Sequence, residues 1–157
     1  MVTTSKRARS PRGAWVAGAA AVLIAAVPVA AWWLMGQQNV DGVAPAELDY
    51  AFRPLAIGPA QETALGAAAL LLALCSAVFL LDASRRGRFD ARWWQVVLPL
   101  LAAGLLLGVG WRILTAGVIG ANIGAGLALF LAGPTVTALV AGAVVRGLLL
   151  RFTKNPR

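Results

Sequence analysis

Catalysis, metal binding and proton transfer need titratable or nucleophilic side chains gathered in one place. This chain of 157 residues has few: no histidine, one cysteine (Cys75) and six acids (Asp41, Glu47, Asp49, Glu62, Asp82 and Asp90). A lone thiol cannot form a redox pair, and Cys75 reads as a small core residue. G-x-S-x-G, H-E-x-x-H and Walker patterns are missing from the sequence, so no acyl-transfer, zinc or phosphate-loop chemistry is indicated. Two aspartates eight positions apart, Asp82 and Asp90, are too few to hold a metal. The expectation is a protein without cofactor or metal that is not an enzyme.

Three groups of residues remain as candidates. Arg112 and Asn122, with Asp49 or Glu47 as charge partners, would form a polar pocket beneath the segment 36–63. Tyr50, Phe52 and Arg53 in that segment would dock a partner, since aromatic and arginine side chains make good interface anchors. Arg85, Arg86, Arg88 and Arg92, in the stretch 82–92, would contact anionic lipid headgroups. A permease would need a polar path through Asn122, Ser76, Thr135 and Thr137. No acid lies inside an apolar run, which disfavours proton-coupled transport.

The elements that must position these residues follow from composition. With 60% apolar side chains, 13% charged ones and a mean hydropathy of +0.78, the chain departs from the roughly 45–50% apolar and about 25% charged of soluble domains. It reads as an all-α polytopic membrane protein and looks like a small bacterial one. The net charge of +8 is divided among segments between apolar runs rather than gathered on one face, so nucleic acid is not the expected partner.

Uncharged runs cover 14–35, 64–81 and 93–111, and a fourth, 116–145, follows Arg112. Each is long enough to cross about 30 Å of hydrocarbon at about 1.5 Å per residue. The fourth exceeds that length, and Gly133-Pro134 marks a kink there, or a break into two crossings. The first run is longer than the usual signal-peptide core, and Trp32 and Trp33 after it look like interface anchors.

Four spans would leave the basic tail 1–13, the loop 82–92 and the tail 146–157 on the cytoplasmic side, with 12 basic residues inside against Arg53 and Arg112 outside. Trp15, Trp93 and Trp94 then fall at inner ends, and Trp32, Trp33 and Trp111 at outer ends. A short helix is expected near 45–52, in which Asp49 and Arg53 could pair one turn apart.

Small residues let helices approach in lipid. Such stripes occur at Ala17, Ala21 and Ala25, at Ala69, Ala73 and Ala77, and at two glycine pairs, Gly104/Gly108 and Gly120/Gly124, expected to bring the third and fourth spans together. The whole is a single multi-pass domain of the cell membrane. It would act through lipid, a membrane-protein partner or a second copy, as an accessory subunit or scaffold. A small permease or channel is the alternative, and an interfacial enzyme a third.

Overall fold

In the computed structural model, residues 11–40, 42–44, 47–118 and 121–153 are described, with the side chains of 11, 12 and 122 left aside. Four long helices dominate: α1 (Pro11–Met35), α2 (Pro59–Arg85), α3 (Trp94–Leu114) and α4 (Ala121–Phe152), with a single 3₁₀ turn at Ala91–Trp93 before α3. All four are long and apolar enough to cross a membrane. The described residues form no strand, only an isolated antiparallel bridge between Tyr50 and Gly117.

The buried positions of α2 are Gly66, Ala69, Ala73, Ser76, Leu80 and Ala83. They alternate by three and four residues, the pattern of a left-handed helix seam. On α1 the same alternation runs through Val16, Ala19, Leu23, Ala26, Ala30 and Trp33, where Leu23, Ala26 and Ala30 are buried. The two antiparallel seams meet, and Trp33 lies so close over Gly66 that no side chain would fit there. The stripe expected at Ala69, Ala73 and Ala77 therefore does face a neighbour. Ala17, Ala21 and Ala25 instead lie on the exposed side of α1.

Helix α1 also packs along α3, and α3 along α4. The helices form a row in the order α2, α1, α3, α4, with α4 attached at one edge. Only 6% of the α4 apolar stretch is buried, against 22–28% for the other three. Helix α4 runs unbroken through Gly133 and Pro134 and is long and apolar enough for one crossing. Thr135 and Thr137 there donate to the carbonyls of Leu131 and Gly133 at 2.8 and 2.9 Å. At about 1.5 Å per residue its 32 residues span about 48 Å.

The start of α1, residues 82–92 and the end of α4 share one end of the row. Among described residues this end carries Arg85, Arg86, Arg88, Arg92, Arg146 and Arg151 against Asp82 and Asp90. The opposite end carries Arg53 and Arg112 against Glu47, Asp49 and Glu62. Phe89 closes the basic end, buried and edge-on to Trp94 with ring centroids 5.6 Å apart.

The expected helix near 45–52 is not formed: its described residues, 47–52, make a turn and the bridge at Tyr50. Asp49 and Arg53 consequently do not share a helical face and make no ion pair, the described pairs being Arg86–Asp82, Arg88–Asp82 and Arg112–Glu62. Cys75 is exposed, at the edge of the α1–α2 contact rather than in the core.

Candidate functional site

The densest polar cluster sits where α1 ends, α2 begins and α3 ends. On α3, Gly104, Gly108 and Arg112 follow one another at four-residue spacing and all three are buried, so they share a face. That face lies on α1. A Cβ at Gly104 would stand 3.1 Å from Pro28 Cδ, and one at Gly108 would stand 2.8 Å from Ala31 Cβ, 2.9 Å from the Trp32 amide nitrogen and closer still to the Pro28 carbonyl. The glycines bring the two backbones near enough for Arg112 to reach across the end of α1.

Arg112 is 2% exposed, the largest fully buried side chain described. Its guanidinium carbon lies 4.2 Å over the centre of the Trp32 ring. Nε donates to the Trp32 carbonyl at 2.8 Å, Nη1 donates to Gln37 Oε1 at 2.6 Å, and Nη2 pairs with Glu62. Trp32 is within the last turn of α1 and Glu62 within the first turn of α2. The cation therefore faces carbonyls that α1 leaves without helical partners, and the acid sits at the positive end of α2. Each charge is placed favourably toward a helix dipole as well as toward the other.

The segment after α1 closes over this cluster. Gln37 Nε2 donates to the Thr115 carbonyl at 2.8 Å, and Asn39 Oδ1 accepts from the Gly117 amide at 3.0 Å. The amides of Val40, Phe52 and Val118 bond to the carbonyls of Gly117, Leu114 and Asp49 at 3.0, 3.1 and 3.3 Å. A Cβ at Gly117 would meet Leu48, Tyr50 and Asn39 at 2.7–2.9 Å, which is why the loop can lie so close. Thr115 is 1% exposed and turns its hydroxyl to the Trp111 carbonyl at 2.8 Å. No buried polar side-chain atom among the described residues lacks a partner. The arrangement joins three helix ends and holds a lid of loop backbone on them.

No protein family, characterised protein or solved structure matches this chain. What can be said about its action comes from its own geometry.

That geometry redistributes the residues singled out from the sequence. Arg112 takes Glu62 as its carboxylate, while Glu47 and Asp49 are exposed and Asp49 contributes only its backbone carbonyl. The side chain of Asn122 and the whole of Gly120 lie outside the described residues. Tyr50 is half-buried against Gly117, whereas Phe52 and Arg53 are exposed beside it. Gly104 and Gly108 pack on α1 rather than α4, and Gly124 has open space where a side chain would go. The expected close crossing of α3 and α4 at their glycines is not how these helices meet. Instead α4 turns Ala121, Ala125 and Ala143 inward.

The hydroxyls of a would-be polar path are dispersed: Ser76 lies in the α1–α2 seam, while Thr135 and Thr137 sit at the far edge of the row, bonded to their own helix. At the basic end Asp82 accepts from Arg86 Nε at 2.8 Å and Arg88 Nη2 at 3.0 Å. Asp90 Oδ1 accepts from the Arg92 amide at 2.9 Å, so Arg92 is held by its backbone. Nothing in the sequence pattern joins Glu62 to Arg112 or marks Gln37. The usable signal was the four-residue register of Gly104, Gly108 and Arg112, which marks one face with a close approach and a cation at its end.

Proposed function

We propose that this protein is a non-catalytic membrane subunit or scaffold of the cell membrane, with both termini cytoplasmic, which works through lateral contact with another membrane protein or a second copy. The observation that carries this reading is α4. It lies at the edge of the row, covered by α3 on one side only, and presents Ile123, Leu127, Phe130 and Leu131 outward, each 58–80% exposed. Gly124, Gly126, Gly133 and Gly142 have no neighbour within 4 Å of a Cβ position. Bulky residues beside open glycine notches give a helix a surface for close packing, the main source of association between helices in lipid.

The Arg112 cluster supports the same reading. Its charge is paired, enclosed and committed to holding α1, α2 and α3 together, so the three-helix group is a firm mount for α4. The orientation rests on the charge of the two ends, since arginine and lysine stay preferentially on the cytoplasmic side.

Purification in mild detergent followed by native gel electrophoresis tests the proposal. A stoichiometric partner or a defined oligomer, lost when Gly126 and Gly133 are both replaced by leucine, is the expected result. A monodisperse monomer that carries solute flux in liposomes on its own would overturn it in favour of a permease.

A further inference from the structure

A groove of about 860 Å³ opens between α1 and α2 at the basic end of the row. Buried Ser76 and Ala83 lie deep in it, exposed Trp15 and Phe79 stand at its sides, Gly18 leaves space, and Arg88 lines its polar end. On α2 the lining runs from Cys75 to Ala83, about 12 Å along the axis at about 1.5 Å per residue. The groove is thus long and apolar, with a cation at one end, matching an amphiphile whose headgroup is negative.

Arg88 is brought there by the way α2 stops. Gly87, at φ +67°, adopts the left-handed conformation that glycine takes without steric cost. Its amide bonds to the Ser84 carbonyl at 3.1 Å and the Arg88 amide to the Ala83 carbonyl at 2.8 Å, the paired bonds of a Schellman ending. The chain reverses, and Arg88 folds back beside Ala83 at the groove. Asp82 holds Arg88 by Nη2 alone, and a guanidinium has five N–H donors in all. Asp82 is also shared with Arg86, and Arg85 stands next in sequence, so this end keeps a positive excess.

We infer that the α1–α2 groove is a binding site for one anionic phospholipid, with an acyl chain along Gly18, Ser76 and Phe79 and the phosphate at Arg88. Basic pockets between membrane helices bind anionic headgroups, and Trp15, 74% exposed at the rim, is the residue type that favours the headgroup region. The site requires only that lipid surrounds the chain, so it stands or falls separately from the α4 contact.

Native mass spectrometry of the full chain in mild detergent, with phosphatidylglycerol or phosphatidylcholine added, tests the site. The wild type retains one phosphatidylglycerol under conditions that strip phosphatidylcholine. Arg88→Gln lowers that retention about fivefold, corresponding to about 1 kcal/mol for one basic residue at the surface, and Arg88→Lys restores most of it. Gly18→Leu also lowers retention; nothing lies within 4 Å of that Cβ position, so the added side chain starts without a clash and extends into groove space, and an unchanged melting temperature is the check that the variant folds. Arg151→Gln, on α4, keeps the wild-type value. Equal retention of both lipids, or full retention in both Arg88→Gln and Gly18→Leu, would overturn the assignment. So would displacement of the lipid by excess glycerol 3-phosphate, because the headgroup alone would then suffice.

Discussion

Replacing Gly108 by alanine separates the α1–α3 contact from every other feature of the row. The added methyl would stand 2.8 Å from Ala31 Cβ, where ordinary contact begins at 3.4 Å, and it meets backbone atoms of Pro28 and Trp32 besides. Backbone cannot swing aside as a side chain does, so α1 and α3 must part by at least about 0.6 Å, the difference between those two distances. The same movement carries the Trp32 carbonyl from 2.8 Å toward about 3.4 Å from Arg112 Nε, beyond the usual range of an N–H···O bond.

Overpacking of this kind costs about 1–3 kcal/mol, and weakening a bond to a charged donor adds up to about 1.5 kcal/mol. Alanine is a better helix former than glycine by up to about 1 kcal/mol, which works in the opposite direction. Gly124→Ala provides the reference, since it has the same helix gain with open space around it. Reversible unfolding in mixed micelles should therefore show Gly108→Ala at least about 1 kcal/mol less stable than Gly124→Ala. In an Arg112→Gln background the cost of Gly108→Ala should shrink by more than about 0.5 kcal/mol, the mark of coupled neighbours. Equal stability of the two alanine variants would refute the close approach. Strict additivity with Arg112→Gln would refute the link between glycine face and clasp.

Three further outcomes follow from the same geometry. Glu62→Ala leaves the Arg112 guanidinium buried without its carboxylate and should cost about 3–5 kcal/mol in the same unfolding assay, with Glu62→Gln costing less because an acceptor oxygen remains. Gly117→Ala forces Leu48, Tyr50 and Asn39 off the α3–α4 turn, so a glutamate-specific protease should cut after exposed Glu47 faster than in wild type, while the melting temperature falls little. Cysteines placed at Arg86 and Thr153 in a Cys75→Ser background should react with an impermeant maleimide from the same side of the membrane, and one placed at Phe52 from the other. Labelling of Arg86→Cys and Thr153→Cys from opposite sides would contradict four crossings.

The four crossings were legible because their signal is simply length without charge, and even the last apolar run, with proline inside it, is a single helix from Ala121 to Phe152. Which faces meet was legible only in part. Ala69 and Ala73 face α1 as their spacing suggests, yet Ala17 and Ala21 do not, since in an alanine-rich helix small residues lie on every side and spacing alone cannot choose. Helix α1 has to serve two neighbours, so its contact residues split into a seam through Leu23 and Ala26 toward α2 and a second surface at Pro28 and Ala31 toward α3.

The short turn between α3 and α4 makes α4 the expected partner of the α3 glycines. The chain instead gives the glycine face to α1, and Arg112 supplies the reason. An arginine one turn beyond Gly108 must find carbonyls and a carboxylate near the membrane surface, since an unpaired cation at that depth is costly. The end of α1 offers free carbonyls and an aromatic face at Trp32, and the start of α2 offers Glu62. The first turn of α4 contains no acid. The demand of one buried cation thus selects the neighbour of its whole helix face, and α4 is left with a single contact and an open side.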